Sequence, residues 1–189
     1  MLRISSPTSN VRPRSGGELA VSFLTSRLAA IGRELPAPAS PVAAYIPAVR
    51  TGALVFTAGQ LPFVDGELLA RGFVIDNADG TVVDGCVVDQ GFVDVEVAKE
   101  CAAVAALNAI AAVGTVIEDL DRITRIVKIT GFVAGAPGFT SHPYVVNGAS
   151  ELIADIWGDL GAHARSAVGV ASLPLSSPVE LEFIFEVAQ

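Results

Sequence analysis

The segment Val179–Val187 (VELEFIFEV) alternates without a break, with Val179, Leu181, Phe183, Phe185 and Val187 on one side and Glu180, Glu182, Ile184 and Glu186 on the other. A period of two puts successive side chains on opposite faces of a sheet, so the spacing predicts a strand with one wholly apolar face. Wound as a helix, the same residues would scatter aromatics and acids around the whole circumference. A chain that holds such a strand must build a one-sided sheet and cover its apolar face with a second layer.

Two segments have the spacing to supply that layer. Asp94–Val113 reads as a long helix, with acids in its first turn and Val97, Cys101, Val104 and Ala105 on one face. A second helix is expected to begin near Pro143, a good first-turn residue, with Ser141 as its cap and Gly158 at its end. Val145, Ala149, Leu152, Ile153 and Ile156 form its apolar stripe. Further strands are expected at Ala53–Ala58, Arg122–Val133 and Ala167–Ser172. Asp79-Gly80 and Asp84-Gly85 flank Thr81–Val83, which suggests a hairpin-like excursion within the stretch 65–94. A short helix is expected within Glu18–Leu35, preceded by a polar lead over residues 1–17 and followed by a proline-rich connector to Pro41. The domain reading is therefore an N-terminal extension over 1–35 and one α+β domain over 36–189, with two helices on one face of the sheet.

At 189 residues the chain can form one sizeable core, and two full domains would be a squeeze. Acidic residues outnumber basic ones, 20 to 12, for a net charge of -8. Lys99 and Lys128 are the only lysines, so a groove tracking nucleic acid is not expected. Hydrophobic residues make up 51% of the chain, but its richest window, 93–113, is interrupted by Asp94, Glu96, Lys99, Glu100 and Asn108. No membrane span is expected there, and the first residues lack the apolar core of a secretory leader. The apolar excess points to a large core and a subunit interface. Two cysteines, Cys86 and Cys101, exclude a disulfide framework, and a cytoplasmic location is the expectation.

The sequence carries no phosphate loop, dinucleotide fingerprint, nucleophile elbow or zinc-protease motif. His142 and His163 have no helix-spaced metal partner and read as loop or surface imidazoles; neither a metal nor a cofactor is expected. Three places remain. Arg165, just before the Ala167–Ser172 strand, suits either a bidentate carboxylate clamp or a surface salt bridge, and sequence alone leaves both open. Glu180, on the acid-bearing side of the last strand, reads locally as a solvated strand residue. The Tyr45–Pro62 segment places a tyrosine and Gly59 around one strand, where Gly59 could let the backbone approach a ligand.

The stretches YIPAVRTGALVFTAGQLP (Tyr45–Pro62), NAIAAV (Asn108–Val113), DLDRITRIVKITGFV (Asp119–Val133), RSAVGVASLP (Arg165–Pro174) and PVELEFIFEV (Pro178–Val187) together resemble the Rid family. This is the reactive intermediate deaminase family, also called YjgF-like or endoribonuclease L-PSP. The resemblance covers roughly residues 36–187, and GFVAGAPGF and NGAS are similar to a divergent Rid-like branch. It implies a chorismate-mutase-like fold and a homotrimer with a barrel-like core and intersubunit clefts. It also implies hydrolysis of a small carboxylate-bearing imine or enamine, of the 2-aminoacrylate type, to a 2-keto acid and ammonium. Carried onto this chain, Arg165 would hold the carboxylate and Glu180 would handle water and protons. Tyr45, Gly59, Ser150 and Ala167 would line the cleft, with Asn147 one turn before Ser150. Ala167 stands where many deaminase members have cysteine, and Ser150 where they often have asparagine. Those departures keep a second reading in play, a non-catalytic carboxylate-binding or regulatory trimer of the same fold. A ribonuclease is disfavoured by the charge.

Overall fold

The computed structural model describes residues 22–38, 44–76 and 91–189. Within them the chain runs α1 (Phe23–Ala30), β1 (Ala48–Thr51), β2 (Leu54–Thr57), β3 (Phe63–Val64), β4 (Glu67–Leu68), β5 (Phe73–Ile75), β6 (Phe92–Asp94) and α2 (Val95–Val113). It continues through β7 (Ile123–Val133), α3 (His142–Trp157), β8 (Ala164–Gly169) and β9 (Val179–Val187), with short 3-10 turns between.

The main sheet has the order β1-β2-β9-β7-β8, antiparallel throughout except for the parallel pair β7–β8. β9 is the strand that the alternation predicts, to the residue, and it lies second from neither edge but in the middle. Val179, Leu181, Phe183, Phe185 and Val187 are all buried, while Glu180, Ile184 and Glu186 are half-buried and Glu182 is exposed. Ile123, Ile126, Ile129 and Val133 of β7 join the buried side, two register shifts keeping the isoleucines in phase. α2 lies against β9 and α3 against β7, so the two long helices do share one sheet face.

Glycines let the layers close. A β-carbon at Gly131 would run into Val146 of α3, and one at Gly148 would run into the Lys99 carbonyl oxygen of α2. Helix α3 therefore sits close to both the sheet and α2. Unlike the one-faced helix expected, α2 is buried on all sides from Cys101 to Val113, and Val97 is exposed rather than on the core face. Its outer side is covered by Ile31 and Leu35, and by the segment Leu61–Phe63, whose carbonyls accept from Asn108 Nδ2 at 2.8 and 3.1 Å.

Other boundaries differ for local reasons. The helix expected within 18–35 is α1, eight residues long, capped by the Ser22 hydroxyl and by the Asp121 carboxylate, which accepts from the Phe23 and Leu24 amides. Tyr45–Pro62 holds two strands rather than one: β1 and β2 pair across the two-residue turn Gly52-Ala53, with Gly52 at φ 59°. Asp65-Gly66, with φ 50° and 85°, makes the tight β3–β4 hairpin. β5 and β6 pair in parallel on either side of residues 77–90. The hairpin expected at Thr81–Val83, Cys86 and the lead over 1–17 lie outside the described residues. No described helix is long and apolar enough to cross a membrane.

Candidate functional site

β8 begins at Ala164, three residues earlier than expected and ending at Gly169, so Arg165 lies inside the strand rather than before it. The edge position explains the miss, because half of its residues lack the burial that makes a strand legible. In register, Arg165 stands beside Ile129 and Ala167 beside Gly131, which puts both on the helix-covered side of the sheet. There α3 meets the guanidinium. Arg165 Nη1 donates to Asn147 Oδ1 at 2.7 Å and to Ser150 Oγ at 3.0 Å. Asn147 and Ser150 are three residues apart on the helix, hence on one face.

Those two bonds engage both hydrogens of Nη1. The Nε–H and Nη2–H donors have no hydrogen bond among the described residues. No buried side-chain nitrogen or oxygen among those residues lacks a partner, so the remaining donors reach solvent. Nε–H and Nη2–H lie parallel along one edge of the guanidinium, in the spacing that matches a carboxylate. The salt-bridge alternative is not what the structure holds, since Arg165 makes no ion pair with a described acid.

Glu180 stands beside Phe132, on the opposite face of the sheet from Arg165. Its surroundings come from a break in the β2–β9 ladder. Pairing is regular to Phe56↔Ile184 and resumes at Gln60↔Leu181, one residue out of step. In the gap the Thr57 hydroxyl accepts from the Phe183 amide at 3.0 Å, and Ala58 and Gly59 bulge from the ladder. The Glu180 carboxylate folds onto Gly59, whose β-carbon, if it had one, would run into Oε1. Burial, with a smaller contribution from the Glu182 charge, holds the Glu180 carboxyl above its ordinary value. The Pro47 carbonyl accepts from the Ala58 amide at 2.9 Å, and Tyr45, two residues earlier in the chain, is exposed.

The six residues singled out in the sequence thus do not form one group. Arg165, Ser150 and Ala167 share the helix side, Glu180 and Gly59 meet at the bulge, and Tyr45 is exposed two residues before Pro47, which pairs with Ala58. His163, which the sequence reads as a loop or surface imidazole, does lie in the loop before β8, but it is half-buried and bonded. His163 Nε2 lies 3.0 Å from Ser150 Oγ, and its Nδ1 lies 2.6 Å from the Gly161 carbonyl oxygen. The available signal was the alternation His163, Arg165, Ala167. His142 lies against Gly169, away from this chain of bonds. Among the described residues no group of three or more histidines, cysteines and carboxylates is arranged to hold a metal ion.

The chain and its fold have relatives among known proteins. A family model described as "YjgF/chorismate_mutase-like, putative endoribonuclease" matches residues 25–187. Protein TCP17 of Trypanosoma cruzi is 35% identical over 166 residues, spanning 86% of this chain and 93% of that protein. The crystal structure of Atu1372 from Agrobacterium tumefaciens, a protein of unknown function, has a TM-score of 0.72 and 37% identity, covering 88% of this chain and 93% of that one. A structure from Shewanella oneidensis, titled a putative endoribonuclease, has a TM-score of 0.73 and 31% identity, covering 86% and 97%.

Proposed function

The chain belongs to the YjgF/chorismate-mutase-like (Rid) family, and on that premise we propose that it hydrolyses a small carboxylate-bearing imine or enamine, of the 2-aminoacrylate type, to a 2-keto acid and ammonium. The observation that carries this reading is the orientation of Arg165. Asn147 and Ser150 occupy Nη1 and leave the Nε–Nη2 edge open for a carboxylate.

An iminium carbon is already electrophilic, so hydrolysis needs an oriented substrate, a water and a proton carrier. An enamine first takes a proton on its methylene carbon to become the iminium. Water then adds to the iminium carbon while a base accepts its proton, giving a carbinolamine. A proton returned to nitrogen makes it the leaving group, and as the C–N bond breaks the hydroxyl gives up its proton, leaving the carbonyl and, once ammonia takes that proton, ammonium. Glu180 suits the carrier's role. Its raised carboxyl sits nearer neutrality than a solvated glutamate, and the structure gives its oxygens no hydrogen bond to another described residue.

The sheet separates Arg165 from Glu180 within one chain, so the reading requires a second copy to bring the two groups together. A homotrimer, with a cleft at each contact between subunits, meets that need. Val49, Phe56 and Val168 are exposed, and by register they share the Glu180 face with the half-buried Phe132 and Ile184. An apolar patch of that kind suits burial against another subunit.

The test couples the protein to an enzyme that releases 2-aminoacrylate or an amino-acid imine, and follows imine decay against keto-acid formation. Acceleration that disappears in Arg165→Ala is expected. Equal acceleration in the variant, or none in the wild type, would overturn the reading. Tight keto-acid binding without turnover would instead favour a carboxylate-binding regulatory trimer, a role that the arginine clamp alone could serve.

A further inference from the structure

We propose that His163 is a positioning residue for ligand capture, holding Ser150, and through it Arg165, in the orientation that turns the Nε–Nη2 edge outward. The proposal rests on the carboxylate-binding reading of Arg165 given above.

The direction of each hydrogen bond follows from what the atoms can do. A backbone carbonyl only accepts, so the Nδ1 at 2.6 Å from Gly161 O must carry a hydrogen. In a neutral imidazole the lone pair is then on Nε2, and Ser150 Oγ at 3.0 Å must donate to it. With its one hydrogen committed to His163, Ser150 can offer Arg165 only lone pairs, and Nη1 at 3.0 Å takes one. Asn147 Oδ1 takes the other Nη1 hydrogen at 2.7 Å. The chain Arg165 → Ser150 → His163 → Gly161 therefore has one consistent sense. A Ser150 hydroxyl left to rotate would point its hydrogen at the guanidinium in part of its range and give up that bond.

From α3, Ser150 bonds both His163 and Arg165, and Asn147 bonds Arg165 alone. Beyond them His163 borders a cleft of about 590 Å³, where Arg125 of β7 and Glu186 of β9 supply one charge of each sign.

The experiment has two arms. In the first, nitrogen NMR of the wild-type protein reads the His163 tautomer; the Nδ1–H form is expected, and the Nε2–H form would overturn the proposal. In the second, calorimetry measures pyruvate binding to the wild type, Arg165→Ala, His163→Phe and His163→Gln, alongside KM and kcat for imine hydrolysis. His163→Phe is expected to weaken pyruvate binding and raise KM about tenfold, with kcat changed by less than about twofold. His163→Gln, whose amide oxygen can accept from Ser150, is expected to stay within about threefold of the wild type. Wild-type binding that His163→Phe leaves untouched would overturn this proposal alone. Absence of both binding and turnover in the wild type would overturn the reading of Arg165 with it. If His163→Phe does not fold, Ser150→Ala reads the same link: the same loss is expected, and no loss would overturn the role.

Discussion

Arg165 and Glu180 project from opposite faces of one sheet, the first beside Ile129 and the second beside Phe132. Neither side chain can cross the sheet to reach the other. If they act on one molecule, they come from two copies of the chain. Arg165→Ala and Glu180→Gln are therefore each expected to be inactive, yet to complement when refolded together. In a ring of heterologous contacts at equal mixing, about a quarter of the sites would pair an intact arginine with an intact glutamate. The check is the rate of imine hydrolysis by the mixture, read against each variant alone. A mixture as inactive as its parents would show that both groups serve one site within a single chain or none.

Gly59 makes room for the Glu180 carboxylate. Gly59→Ala is expected to displace that carboxylate and lower kcat by roughly a hundredfold, the scale of losing a placed acid–base group. Keto-acid binding at Arg165, on the other face, should persist. Calorimetry beside steady-state kinetics separates the two effects, and unchanged kcat would mean that the carboxylate's position is immaterial.

Burial raises the Glu180 carboxyl above its ordinary value. A carboxyl raised in the folded state favours the protonated fold, so its contribution is fully present below the unfolded value of about 4.5 and is lost as pH rises through the folded value. Glu180→Gln is accordingly expected to melt higher than the wild type at neutral pH, with the gap closing below about pH 4.5. Thermal melts across pH check this; a gap that widens on acidification would reverse the sign.

Cys101 is fully buried in α2, and desolvation, helped by the Glu100 charge, pushes its thiol up to about 12. Since the thiolate is the reactive form, Cys101 is expected to resist thiol reagents in the native protein and to react on unfolding. Peptide mapping by mass spectrometry distinguishes it from Cys86. Rapid native labelling at Cys101 would show that α2 opens far more readily than its packing implies.

The sequence was most legible where one residue pattern met one environment. β9 alternates because its two faces really differ, and α3 kept its stripe because only one side of it is covered. β1 was invisible: Val49, Arg50 and Thr51 are all exposed at a sheet edge, so no burial contrast marks them. α2 misled in the opposite way. Its far side is buried by Ile31, Leu35 and Leu61–Phe63, distant in sequence, and a helix enclosed all round loses the periodicity that locates its core face. The site divides along similar lines. Arg165 and Glu180 stand out by resemblance, but their opposite facing follows from which β7 residues they meet, Ile129 and Phe132, an odd number of positions apart, and a linear reading does not show those pairings. His163 needed α3 folded against β8 before its partner, thirteen positions away, came within reach.

Gly148 rests on the Lys99 carbonyl, so Gly148→Ala must push the two helices apart. A loss of about 1–3 kcal/mol is expected, the usual cost of overpacking a tight contact. Chemical denaturation measures it, and a neutral result would mean that α3 can shift without penalty.

That shift would not stay local. α3 carries both acceptors of Arg165, so Asn147 and Ser150 travel as one rigid body with the helix, and two missing β-carbons, at Gly131 and Gly148, gauge how far it stands from the strands and from its neighbour. The thickness of a packed layer is thereby converted into the aim of a single cation. In such a scaffold, ligand preference can drift through substitutions that no ligand ever touches.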